Sequence, residues 1–233
     1  MSIDTIKSNV NACMFDQYGT VVDIQAGLVA IATPFLTAKG WPGDPHAFVT
    51  WWRRTHFENS MIDALLHRAH TPYREIGHRA VAHVMDRAGI AYTRDEVRYL
   101  VGEIEKLKPF PEVPAALVRL QTRYKLVVLS NGDPDMLETA KQHHRIPFDR
   151  VISVAEAGSF KPHVATYSKA AELLGLPMDQ ILFVANHAFD CIGAKSAGMR
   201  TAFIDRRSRP FGETPHQPDI LVPTMADLAD AIV

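Results

Sequence analysis

From about residue 112 onward, short apolar runs alternate with stretches of helical pattern, and this alternation limits the fold more than any other feature of the chain. Residues 113–123 read as a helix, and Lys125-Leu126-Val127-Val128-Leu129-Ser130 follows as a strand. Asp133-Pro134 reads as an N-cap with proline at the first helical position, opening a helix that runs to about His144. Residues 151–154 are the next strand, and a helix from about His163 to Leu174 stops at Gly175. Ile181-Leu182-Phe183-Val184-Ala185 is apolar without a break, as expected of a strand buried on both faces. A helix from about Asp190 to Ala197 ends at Gly198, and residues 201–204 are a strand. With residues 12–15 near the N-terminus, this makes five strands joined by helices. Right-handed crossovers then give an α/β fold, a Rossmann-like parallel sheet covered on both faces.

Residues from about 24 to about 108 break the alternation. Apolar and polar residues recur at helical spacing around 51–70 and 73–88. The expected organisation is an α/β core of residues 1–23 and 109–233 with a helical cap subdomain, 24–108, inserted after the first strand. The chain of 233 residues is long enough for a core with an insertion. The polar, proline-bearing stretch 206–218 reads as a loop. A net charge of -1 supplies no basic field for nucleic acid, and the apolar runs are too short for a membrane span. The first residues lack a secretory pattern, and Cys13 and Cys191 are too few for a disulfide framework. Free thiols and a cytoplasmic protein without nucleic-acid or membrane partners are expected.

The first strand runs directly into Asp16-Gln17-Tyr18-Gly19-Thr20, so Asp16 stands at a carboxyl strand end, where open α/β sheets build their sites. Three more such ends carry polar groups that the fold does not need. They are Ser130-Asn131-Gly132, Lys161 within Ser159-Phe160-Lys161-Pro162, and Asn186-His187-Ala188-Phe189-Asp190. Tyr18 occupies the place, two residues after Asp16, where a phosphate-transferring protein would carry a second aspartate.

In this order the four segments resemble the haloacid dehalogenase superfamily, and within it the 2-haloacid dehalogenases. The motifs that carry the resemblance are Asp16 to Thr20, Leu129 to Gly132, Phe160-Lys161-Pro162 with Tyr167, the pair Trp52-Arg53, and Asp190. The resemblance implies hydrolysis of short 2-haloalkanoic acids, with haloacid and halide as partners, often in a homodimer, and with neither metal nor organic cofactor. Asp16 would attack the halogen-bearing carbon and form an ester. Lys161 would keep Asp16 ionised and Thr20 would orient it. Ser130 and amides around Tyr18 and Gly19 would hold the substrate carboxylate. Arg53 and Asn131 would receive the halide. Tyr18, Trp52, Phe57 and Phe189 would form a dry wall, with Tyr167 and Asn186 nearby. Arg54 is the alternative to Arg53, which would then pair with Glu58 at the surface. His67, His70, His78 and His83 read as solvated helix faces.

The fourth motif departs from the family's Ser-Ser-Asn-Gly-Phe-Asp, with Ala185 in place of a serine and His187 in place of an asparagine. Histidine accepts a proton near neutral pH, so His187 is the expected activator of the hydrolytic water, oriented by a carboxylate such as Asp23. Asp190 would anchor Lys161 or share the base role. The bulk of the imidazole favours haloacetates, with fluoroacetate conceivable. A magnesium-dependent phosphatase of the same superfamily and a non-catalytic small-molecule-binding protein are the alternatives.

Overall fold

A computed structural model describes residues 2–66, 69–144 and 146–233; His67 lies outside them. The chain opens with α1 (Ile3–Asn9), capped by Ser2, and enters the sheet as β1 (Ala12–Phe15). Four helices follow: α2 (Ile24–Ala38), α3 (Pro45–Leu65), α4 (Tyr73–Arg87) and α5 (Arg94–Gly102). The alternation then begins: α6 (Val113–Gln121), β2 (Lys125–Ser130), α7 (Pro134–His144), β3 (Arg150–Ser153) and α8 (Val164–Leu174). It ends with β4 (Ile181–Ala185), α9 (Ala188–Ser196), β5 (Arg200–Ile204), β6 (Ile220–Val222) and α10 (Met225–Ile232).

Among the described residues the sheet is six-stranded, in the order β3-β2-β1-β4-β5-β6, with every neighbouring pair parallel. The α/β expectation holds, with β6 added at the edge. β1 and β4 lie inside the sheet and bury every residue, which is why neither shows polar alternation. Met14 lies between Val127 and Phe183, and Phe15 between Val128 and Val184. Each such side chain contributes about 1.5–3 kcal/mol by leaving water. The order of strands reverses at β1, so loops on either side of it diverge and leave a crevice at the carboxyl ends.

The helices between β1 and β2 start where their caps dictate. Asp23 accepts from the Ala26 amide, Asp44 precedes Pro45 and accepts from His46 and Ala47, and Thr93 and Glu96 form a capping box. Only α4 among these four lacks a local side-chain cap, because Pro72 precedes it. Asp133 supplies one from across the molecule: its carboxylate accepts from the amides of Tyr73 (2.7 Å) and Arg74 (3.0 Å). The sequence predicts Asp133 as the cap of its own helix, α7. The same cap chemistry serves a different helix terminus here.

The chain leaves and re-enters the core side by side. The Asp23 amide donates to Lys108 O (3.1 Å), and the Phe110 amide to Val21 O (3.0 Å). Residues 206–218 contain no helix or strand, as expected, and both cysteines are free and buried. Among the described residues no helix is long and apolar enough to cross a membrane.

Candidate active site

The turn after β1 is built around Gly19, whose φ of 100° lies in the left-handed region. A Cβ there would also stand 2.8 Å from His187 Cε1, so glycine is required for clearance as well. The Gly19 amide donates to Val22 O (2.9 Å), which spends it within the turn rather than on a ligand. This geometry brings Thr20 back over Asp16, and its Oγ1 donates to Asp16 Oδ2 (2.8 Å).

Asp16 is only 6% exposed, and its neighbours compensate for the lost water. Lys161 Nζ donates to Asp16 Oδ1 (2.8 Å), Leu129 O (3.0 Å) and Asp190 Oδ2 (2.7 Å), using all three ammonium hydrogens. Tyr167 donates to the other oxygen of Asp190, Oδ1. Lys161, Asp190 and Tyr167 are buried, so they form a closed assembly beneath Asp16. Burial alone would raise the Asp16 pKa, but the Lys161 charge and the hydrogen bonds from His187 and Lys161 hold it well below the ordinary carboxylate range. Burial and the neighbouring Asp16 charge push Asp190 upward. Burial works against the charge on Lys161, and the two carboxylates outweigh it.

His187 ends the loop after β4 and places Nδ1 3.5 Å from Asp16 Oδ2. Asp23, the expected orienting partner, instead caps its own helix α2. Asn131 Oδ1 accepts from the Lys161 amide (3.0 Å), so its remaining hydrogen-bonding group is the Nδ2 donor. Asn186 is fixed twice: its amide donates to Thr20 Oγ1 (2.9 Å) and its Nδ2 to Ile204 O (2.6 Å).

A cavity of about 620 Å³ opens above Asp16. Asn131, Lys161, Asn186 and His187 line it from the core, together with Tyr18, Gly19 and Phe189. From α3 come His46, Thr50, Arg53 and Phe57, one helical stripe at i, i+4, i+7 and i+11, with Arg54 at the rim. Phe48, Trp52, His56 and Ser60 form the adjacent stripe, buried among the helices. Trp52, expected in the wall, is therefore in the interior, because one residue of helix turns a side chain about 100°. Tyr73 stands in the wall instead. Its ring lies 6.0 Å from Tyr18 at 6°, and Phe57 and Phe189 meet at 4.2 Å.

Arg53 Nη1 donates to Gln25 Oε1 (2.7 Å), while Arg54 pairs outside with Glu58 (2.7 Å). Of the two α3 arginines that line the cavity, Arg53 is the half-buried one and Arg54 lies at its exposed rim. Burial and the Arg207 charge lower the Arg53 pKa to about 10, which leaves it cationic at neutral pH. Ser130, Thr20, Tyr167 and Asp190 are buried behind the cavity surface, and Ser130 Oγ accepts from the Gly132 amide (3.2 Å). Of the histidines expected on solvated faces, His83 is exposed on α4, and His78 is half-buried there beside Glu75. His70 is off-helix and half-buried, with its ring 4.5 Å from Phe160.

Three contributors went unseen in the sequence. Gln25 holds Arg53, Tyr73 forms wall, and Arg206 ties the loop after β5 to the site. Arg206 stacks on Phe110 (3.7 Å) and donates to Glu112 and Thr20 O. Only the strand-end position of Arg206 offered a signal beforehand.

An ionised, poorly hydrated carboxylate facing a cavity with a buried-edge arginine opposite can attack an electrophilic carbon and stabilise a departing anion. Among the described residues no group of three or more His, Cys, Asp or Glu side chains is placed to hold a metal ion.

Comparison with known proteins agrees with this geometry. Residues 10–198 match the model of the haloacid dehalogenase-like hydrolases. The chain is 30% identical over 227 residues to haloacetate dehalogenase H-2 of Moraxella sp. (strain B), covering 96% of both chains. It is similar to the L-2-haloacid dehalogenase of Xanthobacter autotrophicus solved with chloropropionic acid covalently bound (TM-score 0.86, 29% identity, 96% and 98% of the two chains). A defluorinating L-2-haloacid dehalogenase superposes with a TM-score of 0.85 at 27% identity, covering 96% of this chain and 95% of that one.

Proposed function

Since this chain belongs to the haloacid dehalogenase-like hydrolases, we propose that it hydrolyses short 2-haloalkanoic acids through an ester on Asp16. The observation that carries this reading is the Asp16 carboxylate, held ionised by Lys161 at the base of a cavity with Arg53 in its roof. An Asp16 oxygen attacks C2 of the haloacid, and the carbon–halogen bond breaks with its electron pair on the halide. Arg53 and the Asn131 Nδ2 donor receive the halide, stabilising charge that is absent from bound substrate. The substrate carboxylate lies toward the turn at Tyr18. Water then attacks the ester carbonyl, gives a proton to the His187 imidazole, and releases the 2-hydroxyalkanoate with Asp16 restored. The balance is haloalkanoate and water giving hydroxyalkanoate, halide and one proton.

Asp190 and Tyr167 anchor Lys161 in this scheme, leaving the base role to His187, which faces the cavity. His187 also fills space directly above Gly19, and that favours haloacetates, fluoroacetate included. Tyr18, stacked on Tyr73, stands where the phosphatase alternative requires an acid. The helical block 24–108 acts as the cap.

Halide release from chloro-, bromo- and fluoroacetate and from both 2-chloropropionate enantiomers, measured with a chelator present, tests the reading. Rapidly quenched reactions should yield an acylated peptide containing Asp16, and Asp16→Asn should abolish turnover. No halide from any of these acids, or full activity in Asp16→Asn, would overturn it.

A further inference from the structure

The loop between β2 and α7 does more than present Asn131. Two residues later Asp133, 7% exposed, grips the first turn of α4 through both carboxylate oxygens, at 2.7 Å and 3.0 Å. The first amides of a helix have no partner within it, and a negative charge there also meets the positive end of the helix dipole. Arg74 adds a second tie, reaching Asp135 of α7 and Glu105 at 2.9 Å each.

The grip falls on the backbone of a cavity residue. The Tyr73 amide is held by Asp133, and its carbonyl meets His56 Nε2 at 3.0 Å. Its ring is backed by the His56 ring at 3.9 Å and lies parallel to Tyr18. Between Asn131 and Asp133, Gly132 gives Tyr18 room: a Cβ there would stand 3.1 Å from the Tyr18 hydroxyl oxygen. Three consecutive residues thus set the proposed halide acceptor, the clearance for one wall ring, and the anchor of the other.

We propose that Asp133 is a positioning residue that clasps the cap helix α4 to the core and thereby fixes the Tyr73–Tyr18 wall against the substrate. The proposal rests on the dehalogenase reading for its kinetic consequence, but the clasp itself does not. The clasp sets how closely the wall approaches a short substrate, so its loss shows first in substrate binding.

The test compares wild type, Asp133→Ala and Asp133→Asn. Amide hydrogen exchange at Tyr73 and Arg74 should accelerate about tenfold or more in Asp133→Ala, with β4 amides unchanged as evidence of an intact core. KM for chloroacetate should rise about tenfold with kcat changed less than about threefold, and Asp133→Asn, which keeps one acceptor oxygen, should recover much of both effects. Unchanged exchange at Tyr73 and Arg74 would overturn the clasp. Faster exchange with unchanged KM would overturn the positioning role and leave a purely structural tie. Wild type inert toward every haloacid would overturn the dehalogenase reading and with it the kinetic role, while the exchange comparison would still decide the clasp.

Discussion

The base of the cavity and its roof are held by different physics. At the base, Asp16, Lys161, Asp190 and Tyr167 come from four segments of the core, and direct hydrogen bonds lock them below solvent. In the roof, Arg53 and Phe57 project from one helical stripe of α3, and Arg53 is held by a hydrogen bond to Gln25. The base is fixed by buried hydrogen bonds between groups at strand ends and in helices. The roof is fixed by how helices pack. Asp16 therefore sits within a buried hydrogen-bonded assembly, and Arg53 and Phe57 sit on a surface set by helix packing.

The sharpest way to break this contrast is Lys161→Met. It leaves two buried carboxylates without their counter-ion, and stability should fall by about 3–5 kcal/mol in urea unfolding, since removing one partner of a buried ion pair strands the other. A loss below about 1 kcal/mol would mean that the base is not held together by its buried ions. Arg53→Gln should do the reverse. The melting temperature should hold within a few degrees while kcat for chloroacetate falls about 10²–10³-fold, the usual cost of one lost donor to a developing anion. Equal losses of stability and rate would erase the distinction.

The smallest expected effect is a change in the pH dependence of stability. His56 sits in the buried stripe of α3, and burial lowers its pKa to about 4 despite the hydrogen bond to Tyr73 O. The unfolded chain protonates near pH 6.5. Above that pH the imidazole is neutral in both states and its contribution is fully present. As pH falls from about 6.5 toward 4, only the unfolded state gains the proton, and up to about 3 kcal/mol of stability is lost. Urea unfolding across this window should show a shallower pH slope in His56→Gln than in wild type. Identical slopes would remove the imidazole from the account of the roof. The lowered Asp16 pKa adds its own loss at more acidic pH, below its unfolded value near 3.9.

The same contrast governs what the sequence discloses. Asp16, Asn131 and His187 were legible because each lies within two residues of a strand end, and Lys161 because it lies in the connection that leaves β3; parallel pairing brings such ends together whatever the details. The stripe through residues 46, 50, 53 and 57 is visible as a period, but so is its neighbour through 48, 52, 56 and 60. Which of them faces the cavity depends on packing against other helices, and Trp52 fell on the inner side for that reason. Gln25 and Tyr73 act only through contacts with distant elements, so nothing local marks them. Asp133 carries the local signature of a helix cap and spends it on a helix 60 residues away in sequence. The three-residue β6 at the sheet edge was too short for its pattern to stand out.

The paired backbone at Val21–Asp23 and Lys108–Phe110 has a consequence for how such a molecule can change. Because departure and return are stitched to each other, any displacement of the intervening helices reaches the sheet through this seam as well as through the Asp133 and Arg74 ties to α4. The turn bearing Asp16 lies just upstream of that seam.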